Sequence, residues 1–493
     1  MAHARKYITL DIGGSGGRCV VGSYDGNKLT LEKVGEFENS HVRVLNHYYW
    51  DVLKLFSGIK DSLKKVNKLY GKELVSLGVD TMGVNFALLD SNGELIGNPF
   101  YTRVPQKKEI LNKTFNRVPR KEIYGTTGLQ LTKLNSLYHL AEMVGTNSPA
   151  LKNAKTFLML PDLINYWLTG KTVSEYTIAS TSHLLDASKK EWALDMIKDM
   201  GIPTHIFPEI IKPGNTIGKL HPKVAEDIGI HRISVAATAS HDTAAALACV
   251  PAEIENYAYL SSGTWGMLGC ETSEPILTEK AMKYNFANEG SVLGNTRFIY
   301  NSVNLWILKE CKRIWELEGR KYTWDELINM AEESKPFLAF IDPQWSEFLV
   351  PENMPKTIQK MCSNTGQNIP ETKGEIVRVI IESLALKYRY TFDNLTEIIG
   401  RKPEVLHIVG GGGRNKMLSR FTANAINVPV ITGPYDATAV GNIIMQMIAV
   451  GDISSYEEGK ELIRKSFPCK TYLPALKNVW EEKYQRYRRV IDI

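Results

Sequence analysis

Two aspartates stand where an apolar run gives way to small or hydroxyl-bearing residues. Asp11 opens Asp11-Ile12-Gly13-Gly14-Ser15-Gly16-Gly17-Arg18, and Asp242 lies in Ser240-His241-Asp242-Thr243. The glycines after Asp11 let backbone N–H groups approach an anion, for which phosphate is the natural guest. No Gly-Lys-Ser/Thr closes the segment, so it is not a Walker A loop, and a strand follows it, so it is not a dinucleotide fingerprint. A second turn of the same kind is Ser261-Ser262-Gly263-Thr264, and a third glycine run, Gly410 to Gly413, joins a strand to a helix and leaves room for a flat ring or ribose against backbone. Each turn alone also suits a chain that merely reverses direction. Two such hairpins at equivalent points of two half-chains suggest phosphates gripped from both sides of a cleft. Phosphoryl transfer asks a protein for positioning, a carboxylate to accept the nucleophile's proton and a metal to neutralise charge. Asp242 is placed to take the proton from a substrate hydroxyl, with helix N-capping as its competing role. Asp11 is placed to hold Mg²⁺ through water, because Mg²⁺ keeps several waters and favours carboxylate and phosphate oxygens. His41, His47 and His407 show no ligand spacing and read as structural.

The elements that must position these residues are those of a mixed α/β chain. Tyr7 to Ile12, Cys19 to Ser23 and Lys28 to Val34 read as a β-meander with a turn at Tyr24-Asp25-Gly26-Asn27. Trp50 to Leu69 has helical spacing, and Val75 to Asp80 is a short buried strand. Ile233 to Ala239 is another strand ending at Ser240, before a small-residue helix from Thr243 to Val250. Strand, Gly/Ser turn and strand then recur at 257 to 270, so two related domains are expected with a boundary near 245 to 255. Pro343 to Thr372 reads as a surface connection. Thr372-Lys373-Gly374-Glu375 is a capping box for a long helix that stops at Gly400, followed by a strand at Val405 to Val409 and a helix from about Asn415.

With 493 residues, two or three domains are expected; 43% apolar and 23% charged residues are ordinary for a globular protein. The net charge of +5 is small and its positive residues are scattered, which argues against nucleic acid as a partner. Six dispersed cysteines form no CxxC, which fits reduced thiols in the cytoplasm. No stretch is apolar for the ~18 residues that span a bilayer, and the start lacks a leader pattern, so no membrane association is expected.

The chain resembles the FGGY carbohydrate kinases over almost its whole length. The matching segments include Asp11 to Arg18, Val79-Asp80-Thr81 with Gly83-Val84, Tyr124 to Gln130, Glu175-Tyr176-Thr177, Ser240 to Ala244, Tyr259 to Trp265, Asn288-Glu289-Gly290, Leu406 to Gly412 and Gly441-Asn442. The resemblance implies an α/β fold of two ribonuclease-H-like domains, of the actin/hexokinase type, around a central cleft. Residues 1–248 would be mainly sugar-binding and 249–493 mainly ATP-binding. It implies Asp242 as catalytic base and Gly14, Ser15, Gly16, Gly17 and Arg18 as the first phosphate loop. Thr264 would lie in the second phosphate loop, Lys309 near the nucleotide and Gly411 in the adenosine motif. Gly83, His241, Asp242, Thr243 and Asn301 would contact sugar, with ATP and Mg²⁺ (at Asp11) as cofactors, in a monomer or homodimer.

The expected reaction is ATP-dependent phosphorylation of a ketose at its primary hydroxyl, with L-rhamnulose as the first substrate. Relatives acting on that sugar usually read Asp-Thr-Trp-Gly-Val-Asp-Phe, whereas here Met82 replaces the Trp and Asn85 the second Asp; their Tyr-Arg-Asp appears as Tyr101-Thr102-Arg103-Val104-Pro105, and Lys309 replaces a Gln. A lost carboxylate removes a strong acceptor for sugar hydroxyls. L-Fuculose or another deoxy-ketose or pentulose is therefore the alternative within the class. An actin-like or chaperone-like ATPase is the alternative outside it.

Overall fold

The computed structural model describes residues 4–14, 16–101, 108–132 and 134–491; Ser15 and the stretch 102–105 singled out above lie outside them. The chain divides into two compact units. One comprises Met1–Pro251, Glu271–Phe298 and Ala437–Phe467, the other Ala252–Cys270, Ile299–Asp436 and Pro468–Ile493.

The first unit is built on the expected meander, with strands Arg5–Gly13, Gly16–Tyr24 and Leu29–Phe37. Its second turn is closed by Asp25, whose Oδ1 accepts the backbone N–H of Asn27 at 2.9 Å and of Lys28 at 2.8 Å, while Gly26 supplies a φ of +95°. The sheet runs Asn215–Lys219, Ser234–Ala237, Leu74–Thr81, Arg5–Gly13, Gly16–Tyr24, Leu29–Phe37. Its three central strands from Ser234–Ala237 to Arg5–Gly13 are parallel, and the rest antiparallel.

Helix Val52–Tyr70 buries Leu55, Ile59, Leu63 and Val66, a stripe at helical spacing that packs with Ile8, Leu10, Leu77 and Val79 of the sheet. The helix starts after Trp50 because Asp51 is its N-cap, accepting the Lys54 N–H at 3.1 Å; Trp50 ends the strand His47–Trp50.

Helix Ala437–Ala449, from much later in the chain, also joins this unit, through a buried polar seam. Gln446 Nε2 donates to Ile8 O at 2.9 Å, Ser76 Oγ donates to Gln446 Oε1 at 2.6 Å, and Thr9 Oγ1 donates to Asn442 Oδ1 at 3.3 Å. Buried polar groups this well paired fix register as an apolar contact does not.

The second unit repeats the topology. Tyr257–Ser262 pairs antiparallel with the next strand, which begins at Trp265, and parallel with Val405–Val409. Val430–Thr432 is parallel to the latter and antiparallel to Lys470–Tyr472. Helix Lys373–Ile399 carries the expected capping box of Thr372 and Glu375 and ends at Gly400 with φ +72°. The connection expected from Pro343 to Thr372 is corrected by a helix, Met354–Asn364, that buries Met354, Ile358, Met361 and Cys362. Its Asn353 and Pro355 are the cap and first-turn proline of a helix start, which in the bare sequence look like loop punctuation. None of the six cysteines forms a disulfide, and all but Cys469 are buried. Among the described residues no helix is long and apolar enough to cross a membrane.

Candidate active site

Strand register assembles the acidic group in the first unit. Asp11 lies opposite Arg18 in the antiparallel pair and opposite Asp80 in the parallel pair. Arg18 Nε donates to Asp11 Oδ2 at 2.8 Å. Asp80 is fully buried; its Oδ2 accepts from Asn442 Nδ2 at 2.6 Å, and no donor among the described residues reaches its Oδ1. Burial, added to by the charges of Asp11 and Asp242, pushes Asp80 well above the usual carboxylate range. Burial also raises Asp11, with Arg18 working against it and Asp242 adding to it.

Asp242 comes from the loop after Ser234–Ala237 and is the first residue of helix Asp242–Ala248; His241, not Asp242, occupies the N-cap. The loop is held by backbone. Thr81 N donates to Ser240 O at 2.9 Å. The buried Glu175 accepts Ser240 N–H at 3.1 Å, Ile178 N–H at 3.1 Å and the Thr177 hydroxyl at 2.6 Å on Oε2, and Thr177 N–H at 2.9 Å on Oε1. Thr177 Oγ1 in turn accepts His241 N–H at 3.2 Å. Burial lifts Glu175 to about 7 even against these donors. From behind, Gly441 is needed for close helix packing: a Cβ there would lie 1.8 Å from Ala245 O.

The Asp242 carboxylate is used asymmetrically. Oδ1 accepts the Thr243 hydroxyl at 3.0 Å and faces His241 Nε2 at 3.4 Å, while Oδ2 has no partner among the described residues. The side chain is 32% exposed, whereas His241 is 6% exposed. A carboxylate with one oxygen anchored and the other open is suited to taking a proton from a bound hydroxyl.

Beside this loop, Gly83 sits under Thr181, whose Oγ1 would be 3.0 Å from an added Cβ. Its neighbour Val84 has φ +67°, a conformation that strains a β-branched residue. Val84 is pinned by its N–H to Thr181 Oγ1 at 3.1 Å and by Ser136 Oγ donating to its carbonyl at 2.8 Å. Strain of this kind persists only where surroundings over-determine it, commonly at ligand sites. The two substitutions noted in the sequence are accommodated locally. Met82 packs in a core cluster with Trp50, and the Trp50 indole Nε1 donates to Asn85 Oδ1 at 2.7 Å, while Asn85 Nδ2 donates to Gly83 O at 2.9 Å. An aromatic ring thus reaches this corner from a different segment, backed by Tyr101 at 4.8 Å between ring centroids.

Of the residues expected to form a first phosphate loop, Gly14, Gly16 and Arg18 are partly exposed, and Gly17 is buried where a Cβ would lie 2.0 Å from the Phe37 ring. In the second unit the hairpin at 261–264 closes through Gly263 N–H to Trp265 O at 3.0 Å, and Thr264 O accepts Trp306 N–H at 3.1 Å. Gly410 has φ +85°, and a Cβ on Gly412 would lie 2.0 Å from Ser262 Oγ, so the glycine run lies directly against the hairpin. Thr264, Lys309 and Gly411 are exposed and Asn301 is partly buried. Among the described residues no set of three or more His, Cys, Asp or Glu side chains is arranged to hold a metal by itself.

Asp80, Glu175, Thr177, Glu289 and Asn442 lie within the sequence motifs without a role that local pattern assigns, and Arg297 lies outside them. The signal for Asp80 is the one that found Asp11, an acid ending an apolar strand. For Arg297 it is a charge embedded in Thr296-Arg297-Phe298-Ile299. Arg297 is fully buried, and its Nε donates to Gly290 O at 2.7 Å and its Nη2 to Glu289 Oε2 at 2.8 Å. Burial works to raise the Glu289 carboxyl, but the buried Arg297 guanidinium outweighs it and brings it down to about 2.

A two-unit α/β chain with this acidic group and a glycine hairpin in each unit is of the sugar-kinase class. Residues 6–249 match the N-terminal domain and 258–450 the C-terminal domain of the FGGY family of carbohydrate kinases, and the chain belongs to that family. It is 39% identical over 487 residues to a rhamnulokinase from Bacteroides thetaiotaomicron, covering 99% of each chain. It is 35% identical to a rhamnulokinase from Oceanobacillus iheyensis, covering 94% of this chain and 97% of that one. Among solved structures, a xylulose kinase from Lactobacillus acidophilus superposes with a TM-score of 0.83 at 15% identity, over 99% of this chain and 98% of that one. A glycerol kinase from Plasmodium falciparum gives 0.78 at 15% identity with the same coverage.

Proposed function

We propose that the protein is an ATP-dependent ketose kinase that converts L-rhamnulose to L-rhamnulose 1-phosphate. The observation that carries the chemistry is the Asp242 carboxylate, with Oδ1 anchored by Thr243 and Oδ2 open. In the reaction the primary hydroxyl gives its proton to Oδ2 as its oxygen attacks the γ-phosphorus, and ADP leaves. Gly83, His241, Asp242, Thr243 and Asn301 are assigned to the sugar. Gly14, Gly16, Gly17, Arg18, Thr264, Lys309 and Gly411, with Ser15, are assigned to the nucleotide.

The residues around Asp11 fit Mg²⁺. The donors are all oxygen, the buried Asp80 Oδ1 beside Asp11 is reached by no donor, and Mg²⁺ takes one or two carboxylates together with water and phosphate oxygens. Bound with the nucleotide, the ion would neutralise phosphate charge; Arg18 supplies the counter-charge to Asp11 from the protein side.

The sugar assignment is supported by curated rhamnulokinases at 34 to 39% identity along nearly the whole chain. Family membership as a carbohydrate kinase disfavours the actin-like ATPase alternative. The absence of disulfides is compatible with a cytoplasmic enzyme. The test is ADP release measured with L-rhamnulose, L-fuculose and a set of pentuloses. The greatest kcat/KM is expected for L-rhamnulose. A higher value for another ketose would overturn the substrate, and stimulation by none of them the kinase reading.

A further inference from the structure

His241 lies between two charged neighbours that its sequence motif does not contain. Arg297 Nη2 stands 3.0 Å from His241 Nδ1 and, with the same nitrogen, donates to Glu289 Oε2 at 2.8 Å; Glu289 Oε2 is itself 3.2 Å from Nδ1. On its other side His241 Nε2 faces Asp242 Oδ1 at 3.4 Å. Arg297 cannot move away from this contact, being fully buried in strand Thr296–Val303 and held by the Gly290 carbonyl, while Gly290 N–H is bonded to Ser180 Oγ at 2.8 Å. A guanidinium has only donors. Its Nη2 carries two hydrogens, enough for one to Glu289 Oε2 and one to His241 Nδ1. A proton on Nδ1 would instead set donor against donor at 3.0 Å. With Nδ1 accepting, the ring proton sits on Nε2, toward Asp242.

We propose that Arg297 is a positioning residue for phosphoryl transfer: it fixes His241 as the Nε2–H tautomer, which steadies Oδ1 of Asp242 and leaves Oδ2 to receive the sugar proton. The proposal rests on the reading of Asp242 as base. Glu289 serves as the counter-charge that lets a buried guanidinium stay in place.

The test is a nitrogen-15 NMR spectrum of the protein labelled at its ten histidines, near neutral pH and without substrate, with His241 assigned by the signals lost in His241→Gln. The expected result is one neutral species with bare Nδ1 and protonated Nε2. A proton on Nδ1, an imidazolium or a mixture of tautomers would overturn the proposal. In Arg297→Met the single tautomer should be lost and kcat should fall about 10- to 100-fold, as when other groups that orient a primary contact are removed. KM for ATP should hardly move, and Arg297→Lys, which keeps a donor, should recover part of the rate. A folded Arg297→Met with wild-type kcat would overturn it, and if that variant fails to fold the wild-type spectrum decides. Because the spectrum is read without substrate, it succeeds or fails separately from the Asp242 assay.

Discussion

Replacing Asp242 by Asn removes the proton acceptor while preserving its shape. The amide oxygen takes the place of Oδ1, where it accepts the Thr243 hydroxyl and faces His241 Nε2, so the NH₂ is placed at the open Oδ2 position. That NH₂ can only donate and cannot take up a proton. The loss is then the general-base contribution, about 10²- to 10⁴-fold in kcat, or about 3 to 5 kcal/mol in the barrier. Folding should not suffer. Asp242 raises the proton affinity of both Asp11 and Asp80, so removing its charge relieves repulsion in a buried cluster, and the thermal midpoint should stay level or rise. ATP affinity, measured by calorimetry without sugar, should be close to that of the wild type. Sugar-dependent ADP release within tenfold of wild type would refute the reasoning. So would a large drop in thermal stability, because it would mean that Asp242 is held for structure.

Three further outcomes follow from the same geometry. Glu175→Ala should cost roughly 3 kcal/mol or more, because the N–H groups of Thr177, Ile178 and Ser240 lose their buried acceptor, each at about 1–3 kcal/mol; chemical denaturation together with kcat reads it, and an unchanged midpoint would sink it. Burial lowers His183 from 6.5 to about 4, so its neutral form is favoured only in the folded state: stability is full above about pH 6.5 and is lost as pH falls toward 4, by about 3 kcal/mol. His183→Asn, which tolerates the φ of +64°, should flatten that acid loss relative to wild type in denaturation series across this range, and equal slopes would refute it. Gly441→Ala should destabilise by about 3 kcal/mol or more, since the new Cβ meets the Ala245 carbonyl rather than a movable side chain; near-wild-type stability would show that the two helices separate freely.

Much of the frame was legible because local rules act over a few residues. The meander, the capping box at Thr372 and the stop at Gly400 follow from alternation, side-chain capping and the conformational freedom of glycine. Where the same residues serve two purposes, the reading failed: Asn353 and Pro355 look alike whether they end a loop or begin a helix, and only the burial of Ile358, Met361 and Cys362 separates the cases. The motif around Asp242 was visible, but its orientation was not, since nothing in Ser240-His241-Asp242-Thr243 tells which carboxylate oxygen is tied down.

By itself the sequence determined that acids follow apolar runs at two places, that glycine hairpins recur in two half-chains and that the family is that of carbohydrate kinases. These depend on residue type and short spacing. Only the tertiary structure decided that Asp80 lies opposite Asp11, that Asn442 from the helix Ala437–Ala449 completes the first unit, and that Arg297 and Glu289 stand behind His241. Those contacts join residues far apart in the chain, and their partners are chosen by sheet register and helix packing, for which local pattern carries no record.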